Sequence, residues 1–263
     1  MKSLLIRSIR VNVRSVLQSA NFYIAIVLLF GSLFVESVED IPIRLSNDIT
    51  ALDSTIWGSA YAFNISLHFG LYIYAAPLAC AFAAAGLFCN DTEAGFYRLR
   101  LLKSGKNAYQ YGLFLGGSIG GGLSLMIGVL LYAGFCSVLY LPVNVTDMSV
   151  ADAWMPIISS SGGYWKYMLA NAGLAFLFGL IWSGVGLTIS VLSPTRYVCY
   201  LSPFIICFCS VIMLPPSLQP LEMLVQMDWG DFTFTKLLLY QAVLYFAVMI
   251  AFVFSMERRV LHA

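Results

Sequence analysis

Charge is what this chain has least of. Its 263 residues include 14 Lys or Arg, 13 Asp or Glu and 2 His, so charged side chains make up 10% of the whole, against roughly 25% in soluble domains. Long stretches hold no ionised residue at all, which disfavours the carboxylate and cation relays that proton- or ion-coupled carriers keep within a membrane. Catalytic signatures are also scarce. There is no His-Glu-x-x-His zinc motif and no paired Cys-x-x-Cys; the glycine run at 116–122 has no Gly-Lys-Ser/Thr after it and no strand before it, so it is not a phosphate-binding loop. The chain is expected to carry no catalytic centre, metal or cofactor of its own. A net charge of +1 argues against a nucleic-acid partner.

What is present in excess is apolar surface, at 60% of residues. Six stretches, 16–35, 67–88, 113–141, 168–192, 197–214 and 237–254, contain no Lys, Arg, Asp or Glu. In lipid a segment must satisfy its own backbone donors and acceptors, so runs of this length are read as helices. The expected fold is therefore an all-α integral membrane protein with six transmembrane helices. Residues 1–263 would form a single transmembrane domain with no room for an added soluble one. The last two stretches are short, and the fourth and fifth are divided only by Ser193-Pro194-Thr195-Arg196, where Pro194 disfavours a continuous helix.

The few charges are sorted by sign. With the amino terminus placed inside, every basic residue except Arg44, Lys166 and Lys236 falls in an inside segment, and most acids fall outside. The expected location is the cell membrane, multi-pass, with both termini cytoplasmic. At 100° per residue, Ser3, Arg7, Arg10 and Arg14 share one stripe of the first helix, with Leu5, Ile9, Val13 and Val16 roughly opposite. That pattern suits a helix over residues 1–15 lying in the membrane interface, its arginines among anionic head groups of membrane lipids; the simpler reading is flanking positive charge. The same arginines interrupt what would be the apolar core of a secretion signal.

Other residue types divide between packing and function. The six cysteines lie in or beside apolar stretches and read as small packing residues; Cys207 and Cys209, two apart, point to different faces. Gly116 and Gly120, Gly117 and Gly121, and Ser118 and Gly122 are each four apart, giving helix faces without bulk that can meet another helix closely. His68, at the edge of a span, reads as an interfacial hydrogen-bonding residue rather than a ligand.

The charged insert at 89–106 is the stretch that looks built to touch something outside the bilayer. Asp91 and Glu93 are expected to open a short helix, where acids favour the positive end of the dipole, with Arg98, Arg100 and Lys103 toward its other end. Phe96, Leu99 and Leu102 recur every three residues and form an apolar edge. That edge either enters a groove on a soluble partner or rests on the bilayer.

At these residues the chain resembles the membrane subunits of type-2 ABC exporters. Asp91, Glu93 and Gly95 match an acid-x-acid-x-Gly element, and Leu99, Leu101 and Leu102 match the apolar run of a coupling helix; Gly105 stands where many members have Pro, and Lys106 where Ser or Arg is frequent. The resemblance covers the whole topology. It implies a permease dimer, here a homodimer, paired with an ATP-binding cassette ATPase subunit that binds ATP and Mg and moves a cytoplasmic coupling segment at 89–110. It also implies short re-entrant helices at 215–236 near an outer gate, with breaks at Pro215, Pro216 and Pro220; the alternative is a plain interfacial loop. Uncharged spans suit an amphipathic cargo, either a peptide of the phenol-soluble-modulin kind or a lipid or drug. Met126, Leu130, Phe135, Phe204, Phe208 and Met213 are candidates for the pathway and equally for packing. The competing expectation is a stand-alone membrane immunity or channel protein without ATP coupling.

Overall fold

A computed structural model describes residues 2–37, 62–64, 66–67, 70–139, 163–215, 218–221, 224 and 234–261. Within them the chain is helical: α1 (Lys2–Leu17), α2 (Ala20–Ser37), α3 (Tyr72–Ala84), α4 (Gly86–Glu93), α5 (Phe96–Ser104), α6 (Lys106–Leu139), α7 (Gly163–Leu192), α8 (Arg196–Met213) and α9 (Phe234–Leu261). Five helical runs are long and apolar enough to cross a membrane: Tyr72–Glu93, Lys106–Leu139, Trp165–Leu192, Arg196–Met213 and Lys236–Arg259. Counting the bent pair α1–α2 as one more span raises the number to 6. The all-α membrane-type architecture expected from composition is present at this level. His68 and most of the segment at 215–236 lie outside the described residues.

Several boundaries differ from those read in sequence. The first apolar stretch does not begin a span at Val16, because α1 continues to Leu17 and turns by 60° into α2. Ser19 makes the elbow. Its hydroxyl donates to the Val16 carbonyl at 2.7 Å and accepts from the Phe22 N–H at 3.2 Å, ending one helix and capping the next. The sixth stretch is not short: α9 has 28 residues, whereas α8 has 18 and at 1.5 Å per residue reaches only about 27 Å, just under a hydrocarbon core of about 30 Å. The break at Ser193-Pro194-Thr195 is observed between α7 and α8.

The bundle is organised around α6, and glycines decide how. On one side a Cβ built on Gly112, Gly116 or Gly120 would meet Ser8, Asn12 and Val16 of α1, all within 2.6 Å. These contacts advance in step, so α1 runs beside α6 in the same direction, and Gly128 extends the seam to Leu29 of α2. A different side of α6 faces α7 in the opposite sense, with Gly117 against Leu187 and Gly121 against Ser183. The tightest crossing is where Gly179 lies against the Gly122 Cα, 2.8 Å from where its own Cβ would stand, and the Gly121 carbonyl, 2.9 Å away. Small residues at such crossings let backbones approach and gain dispersion contacts, which matters in a bilayer where no hydrophobic force joins helices. The run Gly116-Gly-Ser-Ile-Gly120 also spells Gly-x-Ser-x-Gly, but Ser118 is buried in the middle of α6 rather than raised on a strand-to-helix turn, so it is no nucleophile elbow.

Around this centre α7 packs on α9, α3 and α8, and α3 on α2 and α8. One end of the bundle is closed by uncharged hydrogen bonds: Ser66 to the Tyr132 hydroxyl at 2.6 Å, and the Tyr167 hydroxyl to the Asn64 carbonyl oxygen at 2.6 Å.

Adding one carbon tests the glycine seams. Gly179→Ala is expected to destabilise the fold by about 1–3 kcal/mol, the range for overpacking a filled site. Gly134→Ala and Gly173→Ala, where a Cβ meets nothing within 4 Å, should be neutral or gain up to about 1 kcal/mol of helix propensity. Thermal unfolding in detergent ranks the three; equal shifts would contradict the packing.

Candidate functional site at the charged end of the bundle

The ends of α4, α6, α7, α8 and α9 meet, and three ion pairs form there. The element from Asp91 to Gly95 does not open a helix as expected. Asp91 and Glu93 instead lie in the last turn of α4, at the negative end of its dipole, and α5 starts only at Phe96. Acids there need compensation from outside the helix, and each has it.

Asp91 is buried. Its Oδ2 accepts from Arg100 of α5 at 2.9 Å and from the Tyr109 hydroxyl of α6 at 3.1 Å, so one carboxylate joins the three helices that make the turn. Glu93 is exposed and takes both ends of the Arg196 guanidinium, with Nε to Oε1 at 3.0 Å and Nη2 to Oε2, a two-point pairing that fixes orientation as well as charge. Arg196 opens α8, so the pair ties the turn to a fifth apolar helix. Lys106, the first residue of α6, meets Glu257 of α9 at 3.3 Å. Arg259 donates to the Val191 carbonyl at the end of α7 and lies 5.1 Å from the ring centre of Phe88, so a cation occupies a helix C-terminus and an aromatic face together.

Between these ties stands α5. It is entered through Gly95, at φ 69°, and left through Gly105, at φ 78° and ψ 150°; both dihedral settings are natural to glycine and costly for residues with a Cβ. Its inner side presents Tyr97 and Leu101 to a cluster formed by Phe88, Tyr109, Leu113 and Phe252. Its outer side leaves Phe96, Leu99 and Leu102 at 54%, 61% and 81% exposure. The apolar edge expected at those three positions is therefore present and uncovered in this chain.

The other expected groups are placed as follows. Arg7, Arg10 and Arg14 are exposed along α1, but the face opposite them is covered by α6 through Ser8, Asn12 and Val16 rather than left for acyl chains. Part of the apolar surface that remains open is a flank between arginines and protein, a shallow groove of about 410 Å³ lined by Ile6, Ile9, Arg10, Val13, Arg14 and Leu17, while Leu4 and Val11 are exposed on the other flank. The pathway candidates separate into two aromatic groups. Phe135 packs with Phe30 and Phe34 of α2, near half-buried Met126 and Leu130, while Phe208 stacks on Tyr74 of α3 at 5.2 Å with Phe204 beside it. Met213 is 82% exposed and joins neither. Cys207 is buried and Cys209 exposed, as their spacing requires.

Sequence reasoning missed Arg100, Tyr109, Arg196, Glu257 and Arg259 as partners, and it missed the approach of Cys89 to Cys199. Only the Ser19 cap carried a local signal, a hydroxyl before an apolar run. The long-range partners carried none. No group of three or more potential metal ligands occurs among the described residues.

Fold and composition define a class: a helical protein with five to six candidate membrane-crossing helices, consistent with a multi-pass membrane protein. No family model, curated protein or solved structure matches the chain.

The two acids differ in burial, and so should their variants. Asp91→Asn removes the charge that Arg100 and Tyr109 share in a buried setting and is expected to lower stability by about 1.5–3 kcal/mol, the range for hydrogen bonds to charged groups. Glu93→Gln, at an exposed pair, should leave the melting temperature nearly unchanged. The order reverses if Glu93 rather than Asp91 holds the turn.

Proposed function

We propose that the chain is the membrane permease subunit of an ATP-driven exporter, with α5 as the element on which a separate ATP-hydrolysing subunit acts. The observation that carries this reading is the contrast within α5. Its outer edge of Phe96, Leu99 and Leu102 is uncovered, while its base is tied to α4, α6 and α8 through Asp91, Arg100, Tyr109, Glu93 and Arg196. A push on that edge is delivered to membrane-crossing helices through charge-assisted hydrogen bonds and packed aromatic rings rather than absorbed by a loose loop. The resemblance to type-2 ABC exporters supports the same reading. At Gly105 the departure from that pattern has a structural content, since φ 78° is closed to the Pro found in many members.

In this reading the charged end faces the cytoplasm with both termini, following the retention of Lys and Arg inside. Arg7, Arg10 and Arg14 contact anionic head groups, and the groove beside them takes acyl carbon. Two copies of the chain form the pathway, with Met126, Leu130, Phe135, Phe204, Phe208 and Met213 near it. ATP and Mg are bound by the partner subunit alone. The cargo is amphipathic, with a cytolytic or antimicrobial peptide ahead of a lipid or drug, because no fixed charge is available in the spans to select an ion.

Pull-down of the full chain in mild detergent should recover an ATP-binding cassette subunit, and Leu99→Ser with Leu102→Ser should abolish recovery while leaving the permease melting temperature unchanged. Recovery of no ATPase by the unaltered chain would favour the stand-alone membrane protein instead. Amphipathic helical peptides are expected to raise ATP hydrolysis by the assembled complex in vesicles; stimulation by lipids or drugs alone would move the cargo assignment and leave the permease reading in place.

A further inference from the structure

Helices α4 and α8 meet through a ladder of side chains, and the middle rung is chemically unusual. Glu93 pairs with Arg196, Cys89 lies with its Sγ 3.5 Å from the Sγ of Cys199, and Gly86 lies against the Tyr200 hydroxyl. The rungs follow helical spacing, since Cys89 and Glu93 are four apart on α4 and Arg196 and Cys199 three apart on α8. The two thiols come from positions separated by 110 residues, so the approach is made by tertiary packing. Small residues permit it: Ala81, Ala85 and Cys89, each four from the last, cluster with Cys199 and let α8 come close. Both sulfurs are buried, and the Cys199 thiol also lies 3.4 Å from the Ser193 carbonyl.

The two sulfurs are at van der Waals separation and have to close to about 2.05 Å for a disulfide. Of the other cysteines, Cys80 and Cys207 are buried in the same core cluster, Cys136 is buried beside Tyr132 and Cys209 is exposed; among the described residues no second pair of sulfurs comes as close as Cys89 and Cys199.

We infer that Cys89 and Cys199 form a reversible disulfide that clamps the base of α5 to α8. The reaction is thiol–disulfide exchange with a small disulfide of the glutathione class. One protein thiol loses its proton and its thiolate attacks a sulfur of the small disulfide, expelling one thiolate and leaving a mixed disulfide. The second protein thiolate attacks that protein sulfur, forming the Cys89–Cys199 bond and expelling the other small thiolate. Two protein thiols are thereby oxidised, one small disulfide is reduced to two thiols, and the protons balance. Both sulfurs are covered, so exchange requires α4 and α8 to part at the half-exposed Glu93–Arg196 pair one turn away. The inference stands independently of the export reading, because it rests on α4–α8 packing alone.

The test uses the full chain in lipid-supplemented detergent, treated with oxidised glutathione and digested for mass spectrometry. The expected result is a linked peptide pair containing Cys89 and Cys199, loss of two of the six titratable thiols, and full recovery after a reducing dithiol. Hydrogen exchange over residues 93–105 should slow in the oxidised form and return on reduction, a readout that needs no variant. Cys199→Ser should leave Cys89 as a mixed disulfide with glutathione and remove the linked pair. Oxidation confined to Cys209, or no linked pair after prolonged treatment, overturns the site. A linked pair with unchanged exchange over 93–105 overturns the clamp.

Discussion

Close approach along α6 is the constraint on which the other arrangements depend. A helix with glycines at 112, 116 and 120 on one side and at 117 and 121 on another can hold α1 and α7 at backbone distance. Dispersion and packing must join helices in a bilayer, where burying apolar surface against protein gains little over burying it in lipid. Once α1 and α7 are fixed on α6, the elbow at Ser19 sets the direction of α2 and the end of α7 sets where α8 can begin. The charged end is then assembled from helix termini that have no freedom to be elsewhere.

That assembly explains how a carboxylate can lie at the wrong end of a helix. Asp91 and Glu93 close α4, where the dipole disfavours them, and each is compensated by groups from distant parts of the chain: Arg100 and Tyr109 for one, Arg196 for the other. The cost of this placement is repaid in position, because the same contacts hold α5 with one face packed and the other free. A loop with satisfied local electrostatics would have needed no such ties and would have moved independently of the helices around it. Arg259 acts similarly at the end of α7, filling an open carbonyl and lying over Phe88. What these contacts share is a charged group placed at the ends of the candidate membrane-crossing helices.

How legible this was depends on the range of the interaction. The apolar stretches, the break at Pro194 and the exposed edge of Phe96, Leu99 and Leu102 were readable because each follows from properties of consecutive residues. The helix start at Asp91 was misread because capping preference is a local average, and here tertiary partners outweighed the dipole. The face of α1 opposite its arginines was assigned to lipid because periodicity reports that a face is apolar and cannot report what covers it. Ser8 and Asn12 on that face were the hint, since small and polar residues suit a helix seam better than acyl chains. The cysteines gave no hint, as none has a partner within a few positions.

Sequence alone determined that this protein is helical, rich in segments able to cross a membrane, and charged chiefly where those segments end, because hydrophobic length and backbone hydrogen bonding are settled within each segment. Only the tertiary structure decided which glycine face holds which helix, which acid is buried, and which two of six thiols touch. Those outcomes depend on pairs far apart in the chain, whose distance is fixed by the packing of all the helices between them.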